Sequence, residues 1–330
     1  MKPQIQRDYH INYTVASLVF LVPFAGYILA ALISDRLHVL GGRRLIAILA
    51  PCTRLIAYVV ISTHPPFPAV AAILFLAGIG NGLLDGAWNA WVGEFASATQ
   101  IMGLLHGCYG AGATISPSIA TAMVTRYHLG WWSFFYVLIG VVTAEMAVCG
   151  WVFWPENGRK YRDATRGETS SNTTAGESEK GMTRRAMKQR TTWICAVFLF
   201  IYMGVEVSIG GYIVTFMTTV RHSDPFPSGL SATGFWLGLT VGRVILGFVT
   251  PKIGERLSVI IYLIIATGME LLFWLVPQFI VSAIAIAIVG FFIGPFFPAA
   301  VLMTARLLPK ELHVASIGFA SALGGGGAAL

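Results

Sequence analysis

The sequence predicts an all-α polytopic membrane protein built from two bundles of helices, and three observations lead to that prediction. Of its 330 residues, 56% are hydrophobic and only 11% are charged, whereas a soluble domain carries about 25% charged residues. The apolar residues form runs of roughly 20 residues, the length that a helix needs to cross the hydrocarbon core of a bilayer. One long polar segment, residues 155–190, separates these runs into two groups.

The charge and the cysteines exclude several other classes of protein. The net charge is +7, but most basic residues fall in loops between apolar runs, where they set membrane topology and do not indicate nucleic-acid binding. The four cysteines lie inside apolar runs without metal-ligand spacing, so we expect packing residues and neither disulfides nor a metal site. No phosphate-binding loop or nucleophile motif is present, so we expect no cofactor and no enzymatic activity.

The hydropathy pattern predicts about ten transmembrane helices, five on each side of the polar segment. We therefore expect an N-terminal bundle over residues 1–154, a cytoplasmic disordered linker over 155–190 and a C-terminal bundle over 191–330. A short surface helix is expected near residues 182–189. The expected spans are 13–34, 45–62, two helices that together contain 78–117, then 131–154, 191–220, 230–250, 257–276, 279–307 and 312–330.

Basic loops alternate with loops that contain few basic residues. The positive-inside rule therefore places the basic loops in the cytoplasm and the N-terminal residues outside. The protein is expected to be a multi-pass integral membrane protein, with the plasma membrane as the default location. The basic groups on the cytoplasmic side are Arg36, Arg43 and Arg44, nearly all the Lys and Arg of the linker, Lys252 and Arg256, and Arg306 and Lys310.

A polar stripe follows one predicted membrane helix. Asn81, Asp85 and Asn89 are spaced by four residues and therefore share one face of that helix. An aspartate at the bilayer centre costs roughly 2.5–3.5 kcal/mol, so Asp85 should face a wet, protein-lined cavity. This predicts a proton-binding site at Asp85 and solute contacts at both asparagines. Structural hydrogen bonds between helices are the alternative for all three.

Other polar side chains fall inside the apolar runs. Glu206 lies beside Gly204, Gly210 and Gly211 and is expected to contribute to solute binding or to the proton path. Arg243 requires a partner, which is an acid or a contact at the cytoplasmic gate. His106 is a candidate proton relay or ligand contact. For each of these residues, a purely structural role is the alternative. Three aromatic residues are candidates for stacking on the ring of a solute, with packing between helices as the alternative: Tyr109, Trp88 and Trp236.

Several motifs resemble one known family. The loop from Asp35-Arg36 to Gly41-Gly42-Arg43-Arg44 resembles the signature loop of the major facilitator superfamily, with about three extra residues before the glycines. The segment 78–85, followed by Asn89, resembles the fourth helix of the fucose–proton symporter branch. Segments 105–112 and 202–211 also resemble that branch, and the whole chain is similar to its fungal members.

The resemblance implies the fold and the function of the chain. It implies a two-bundle facilitator fold that lacks the first and last of twelve helices, so that the bundles correspond to family helices 2–6 and 7–11. It implies proton-coupled symport of a sugar-like solute by alternating access, with Asp85 as the acid of the fourth helix. The acid that the family carries on its first helix has no counterpart here.

The resemblance also assigns a gate and leaves an alternative function. Asp35, Arg36, Arg43 and Arg44 would form the cytoplasmic clasp that latches one conformation, unless they only set topology. The expected partners are a sugar-like solute, protons and the lipid bilayer, and the expected state is a monomer. The alternative is a non-transporting, receptor-like or partner-binding relic of the fold.

Overall fold

The computed structural model describes residues 5–6, 8–166 and 182–329, and this part of the chain consists of helices and short connections without a strand. The all-α prediction is therefore confirmed. A short helix, Tyr13–Ala16, and a 3₁₀ turn, Trp131–Ser133, accompany the main helices. These are α1 (Leu18–Ser62), α2 (Phe67–Gly93), α3 (Ala98–Thr125), α4 (Phe134–Val152), α5 (Gly158–Arg166), α6 (Met182–Lys188), α7 (Arg190–Thr219), α8 (Pro225–Ile253), α9 (Glu255–Leu275), α10 (Phe279–Ile293), α11 (Phe296–Leu307) and α12 (Lys310–Ala329).

Within the described residues, seven helical stretches are long and apolar enough to cross a membrane. The first contains α1, whose 45 residues are interrupted at Gly42, where φ is 67° and ψ is −164°. The sequence predicts two spans there. The last stretch joins α10 and α11. Helices α3 and α12 are not among these seven apolar stretches. The count of about ten spans therefore stays a prediction.

The helices are organised in two compact units that interleave along the chain. Unit 1 comprises Met1–Trp91, Ile119–Phe200 and Thr304–Leu330, and unit 2 comprises Val92–Ser118 and Ile201–Met303. Unit 1 packs α1 against α4, α5 and α12, whereas unit 2 packs α10 between α8 and α9. The division of the chain at residues 155–190 stays a prediction.

Small residues allow neighbouring helices to approach closely in both units. In unit 1, a side chain at Gly78 of α2 would overlap the backbone of Pro23 in α1. In unit 2, a side chain at Gly242 of α8 would overlap the carbonyl group of Phe291 in α10. Membrane helices gain van der Waals contact from such close approach, because the hydrophobic effect does not drive their association in lipid.

The polar segment after α4 is partly ordered, which differs from the predicted disorder. Its first helix, α5, docks on the turn around Gly42: Arg162 Nη1 donates to the carbonyl oxygen of Val39 at 2.6 Å. The backbone N–H of Arg44 donates to the carbonyl oxygen of Glu156 at 3.0 Å. The high charge of this segment predicts disorder, but its charged groups find partners on α1. Helix α6 agrees with the surface helix expected near 182–189, and residues 167–181 lie outside the described part.

The segment before α1 is held by polar and aromatic contacts in unit 1. Trp131 Nε1 donates to Asp8 Oδ2 at 2.8 Å, and His64 Nε2 lies 2.6 Å from the same oxygen. The hydroxyl of Tyr9 donates to the carbonyl oxygen of Pro65 at 2.5 Å. Three chain segments, before α1, before α2 and before α4, are thereby joined at one end of unit 1.

Candidate functional site

The predicted acid Asp85 lies in α2 with an amide partner one helical turn later. Asn89 Nδ2 donates to Asp85 Oδ1 at 2.6 Å and to the Asp85 carbonyl oxygen at 2.9 Å. Asn89 is buried, with only 1% of its surface exposed. Asn81, the third member of the stripe, is half-buried one turn before Asp85. The spacing of four residues therefore does bring Asp85 and Asn89 into contact.

Unit 1 adds a residue to this site that sequence reasoning missed. Ser321 of α12 lies beside the carboxylate of Asp85, and its buried hydroxyl has no hydrogen-bond partner within ordinary range among the described residues. A close approach of two glycines explains the position, because a Cβ at Gly86 of α2 would lie only 3.3 Å from Gly318 Cα. A serine in a glycine-rich run has no spacing that could identify it in advance.

The predicted residues Glu206 and Arg243 form an ion pair in unit 2. Arg243 Nη2 donates to Glu206 Oε2 at 3.1 Å and to Oε1 at 3.2 Å. Both residues are almost fully buried, with 6% of Glu206 and 4% of Arg243 exposed. The sequence requires a partner for Arg243 without naming one, and that partner is Glu206.

A carbonyl group freed by a proline accepts a further hydrogen bond from Arg243. Its Nε donates to the carbonyl oxygen of Gly294 at 3.3 Å. In a regular helix this carbonyl would accept from the N–H four residues later, but that position is Pro298, which has no N–H. Pro295 similarly stands at the break between α10 and α11. The Gly294–Pro298 segment thus supplies an acceptor at the buried guanidinium.

Two predicted residues of α3 lie near this pair within unit 2. The ring centroid of Tyr109 is 5.9 Å from Arg243 Cζ, a cation–π distance. His106 is buried with its ring 4.9 Å from that of Phe297. A Cβ at Gly103 would lie 2.6 Å from the Arg243 carbonyl oxygen, so α3 and α8 are nearly in backbone contact here. Unit 2 therefore brings four of the predicted site residues together.

The predicted gate residues surround the turn at Gly42. Asp35 is 3% exposed, and its Oδ1 has no hydrogen-bond partner among the described residues. Arg36 is exposed. Arg43 Nη1 lies 3.4 Å from Glu156 Oε2, and the Arg44 guanidinium lies 3.3 Å from the centre of the Trp154 ring. The assigned clasp stays a prediction, and Glu156 and Trp154 are additional members of this region.

Other charged and aromatic side chains of the membrane helices differ in whether the described residues give them a partner. Arg54 of α1 and Glu145 of α4 form an ion pair within unit 1. The ring of Trp88 stacks on Phe153 with centroids 4.5 Å apart, which favours the packing alternative for this tryptophan. Glu270 of α9 has one buried carboxylate oxygen without a partner in the described part of the chain.

Comparison with known proteins gives a family match over the whole chain. The family model of the Major Facilitator Superfamily matches residues 1–330. The chain is similar to Bypass of stop codon protein 6 of Saccharomyces cerevisiae, with 29% identity over 99% of this chain and 70% of that protein. It is also similar to the glucose/mannose transporter GlcP of Bacillus subtilis, with 23% identity over 94% of this chain and 76% of that protein.

Solved structures share the fold at low sequence identity. The fucose:proton symporter FucP of E. coli superimposes with a TM-score of 0.74 and 14% identity, over 98% of this chain and 83% of that one. The proton:xylose symporter XylE gives a TM-score of 0.74 and 13% identity, over 99% of this chain and 81% of that one. With the family model, they confirm the resemblance found in the sequence motifs. The chain belongs to the Major Facilitator Superfamily and is an integral membrane protein of its transporter fold, not an enzyme.

Proposed function

We propose that the protein carries a sugar-like solute across the membrane together with protons by alternating access, and that Asp85 is its proton-binding residue. Support for the solute class comes from the relatives, which include a glucose/mannose transporter and structural neighbours that are fucose:proton and proton:xylose symporters. The plasma membrane location and the monomeric state remain predictions.

The observation that carries the proton assignment is the difference between Asp85 and the paired acids. Glu206 contacts Arg243, and Glu145 contacts Arg54. Asp85 accepts a hydrogen bond from the amide of Asn89 and has the hydroxyl of Ser321 beside it, and it forms no ion pair within the described residues. Protonating a paired acid leaves a buried arginine without its counter-ion. Asp85 can gain and lose a proton without that penalty.

The partners of Asp85 suit both of its charge states. An amide offers donors and an acceptor, and a hydroxyl does the same, so each can hydrogen-bond the charged or the protonated carboxyl. The glutamate of the Glu206–Arg243 pair then has a different role. We assign the Glu206–Arg243 pair, with Tyr109 and His106, to solute binding and not to proton transfer. The reason is that the two fixed charges lie next to the exposed aromatic ring of Tyr109.

The energy available from protons is sufficient for this transport. One pH unit supplies about 1.4 kcal/mol, and a membrane potential of about 100 mV adds about 2.3 kcal/mol per charge. Because each 1.4 kcal/mol corresponds to about a tenfold concentration ratio, one proton per solute can concentrate a neutral sugar several hundredfold.

The test uses the purified full chain in vesicles that contain a pH-sensitive dye. Adding a transported hexose outside should acidify the interior as protons enter with the solute. Asp85→Asn keeps the hydrogen-bonding shape but cannot take a proton, so it should abolish the acidification and retain exchange of labelled hexose for unlabelled hexose. The control is Glu270→Gln, which removes another membrane acid that has no cation partner among the described residues, and it should leave coupling intact.

Two outcomes would contradict the proposal. Proton entry in Asp85→Asn that equals that of the unmodified chain would remove the assigned role of Asp85. A chain that moves none of a panel of labelled hexoses would favour the alternative, a receptor-like or partner-binding protein of the same fold.

A further inference from the structure

Trp236 shares one face of α8 with Arg243. The two residues are seven positions apart with Thr240 between them, a spacing that places all three on one stripe of the helix. Seven residues correspond to about 10.5 Å along the axis. Trp236 therefore lies two helical turns from the buried Glu206–Arg243 pair.

The indole of Trp236 packs directly against Gly210, where a Cβ would fit only if the ring moved. A Cβ at Gly210 of α7 would lie 2.5 Å from Trp236 Cζ2 and 2.9 Å from Cε2. Gly210 is one helical turn from Glu206 on the same helix. The pair Glu206–Arg243 and the pair Gly210–Trp236 are thus successive contacts between α7 and α8.

The indole N–H of Trp236 has no acceptor among the described residues. The side chain is half-buried, and tryptophan N–H groups usually find a partner when they are buried. A free donor on a half-buried ring is therefore available to a ligand. The hydroxyl of Thr240, next on the same stripe, instead donates back to the Trp236 carbonyl oxygen at 2.8 Å.

Helix α3 brings a second aromatic ring to this stripe. A Cβ at Gly110 would lie 3.2 Å from Thr240 Cβ, so α3 passes close to α8 between Trp236 and Arg243. The adjacent Tyr109 is 67% exposed, although its ring is 5.9 Å from Arg243 Cζ. Two turns of α8 thus bring together three features: the exposed ring of Tyr109, the free indole N–H of Trp236 and the buried Glu206–Arg243 pair.

We propose that Trp236, seated on Gly210, is a solute-contacting residue that stacks on the ring of a sugar and donates its N–H to a hydroxyl. A sugar ring has one face of C–H groups, whose positive hydrogens suit the negative face of an indole. Its hydroxyl groups accept hydrogen bonds from the rim. This inference rests on the proposed function and names a residue that determines its solute specificity.

The first test compares two adjacent glycines. Gly210→Ala places a methyl group against the indole and should displace it, whereas a Cβ at Gly211 meets nothing within 4 Å. Gly210→Ala should raise the KM for the transported hexose several-fold with a smaller change in kcat. Gly211→Ala, the matched control, should behave as the unmodified chain does.

The second test separates the ring from its N–H group. Trp236→Phe keeps an aromatic face but loses the donor, and Trp236→Leu loses both, so the KM should rise in that order. Hexose should also change the intrinsic tryptophan fluorescence of the purified protein, and Trp236→Phe should lose that change. Thermal unfolding of each variant identifies any that fail to fold.

The outcomes separate this inference from the proposed function. Transport with an unchanged KM in both Trp236→Leu and Gly210→Ala would overturn the inference and leave the proposed function standing. A fluorescence change that depends on Trp236, without transport, would overturn the proposed function and support the inference. Neither binding nor transport of any hexose would overturn both.

Discussion

Arg243 of α8 and Glu206 of α7 form a buried ion pair in unit 2. One guanidinium nitrogen, Nη2, donates to both carboxylate oxygens, at 3.1 and 3.2 Å. The same guanidinium uses Nε on the carbonyl oxygen of Gly294. A buried ion pair tolerates the loss of both partners better than the loss of one, because a single loss leaves an uncompensated charge.

The first prediction is an asymmetry between the two halves of this pair. Glu206→Met should destabilise the protein more than Arg243→Met, because the remaining arginine cannot lose its charge, whereas a remaining glutamate can take up a proton. Breaking such a pair costs about 3–5 kcal/mol. The double variant Glu206→Met/Arg243→Met should recover part of that loss. Thermal unfolding of the purified protein in detergent gives the order of the four midpoints.

From the highest to the lowest unfolding midpoint, the expected order is the unmodified protein, the double variant, Arg243→Met and Glu206→Met. A double variant that is no more stable than Glu206→Met would show that the two side chains do not compensate each other. The assignment of the buried pair would then be wrong.

Features within a single helix could be predicted from the sequence. Asp85 and Asn89 are four residues apart, and because helix geometry places such residues next to each other, their hydrogen bond could be anticipated. The apolar runs likewise predict the long helices, since a bilayer imposes both their length and their composition. The spacing of residues along one helix is sufficient to predict the Asp85–Asn89 contact. The requirements of the lipid bilayer are sufficient to predict the long apolar helices.

Contacts between helices could not be predicted in the same way. Glu206 and Arg243 are 37 residues apart, and the spacing along neither helix indicates how α7 and α8 align. Ser321 meets Asp85 because Gly86 and Gly318 allow α2 and α12 to approach closely. These contacts depend on packing between helices and on which small residues face each other, and one sequence alone does not determine that.

The second prediction concerns close packing in unit 1. Gly78→Ala should lower the unfolding midpoint, because its methyl group would overlap the backbone of Pro23, which cannot rotate away. The matched control is Gly140→Ala in α4, where a Cβ meets nothing within 4 Å. There the exchange should be neutral or stabilising by up to about 1 kcal/mol, the difference in helix propensity between the two residues.

Thermal unfolding of both alanine variants in the same detergent checks this prediction. Equal midpoints would contradict it, since the two positions differ in contact and not in chemistry.

The third prediction separates backbone strain from contact at two glycines with positive φ. Gly42 has φ of +67° and Gly254 has φ of +96°, both costly for a residue with a side chain. A Cβ at Gly42 would also lie 2.5 Å from the carbonyl carbon of Asn157, whereas Gly254 has open space. Gly42→Ala should therefore destabilise the protein more than Gly254→Ala does.

Limited proteolysis adds a second measurement at Gly42. The contact at this turn includes the segment that leads into α5, so Gly42→Ala should make the chain easier to cleave near residues 156–166, and Gly254→Ala should not. If both variants were cleaved there at the rate of the unmodified protein, the docking of α5 on the turn would not depend on Gly42.

The fourth prediction concerns pH at the segment before α1, which lies outside the membrane-spanning helices. The indole N–H of Trp131 holds the pKa of Asp8 below its usual value of 3.8, with a smaller contribution from His64 and against the effect of partial burial. A lowered pKa in the folded state means that charged Asp8 stabilises the fold above pH 3.8. That contribution is lost as the pH falls through the folded value, which lies below 3.8.

Unfolding midpoints measured from pH 5 down to pH 3 check this sign. The unmodified chain should lose stability more steeply than Asp8→Asn, which has no charge to lose at this position. Asp224→Asn is the matched control, because Asp224 is an exposed loop acid whose side chain makes no capping hydrogen bond, and it should follow the unmodified curve. If Asp8→Asn also followed that curve, the hydrogen bond from Trp131 would not contribute to stability.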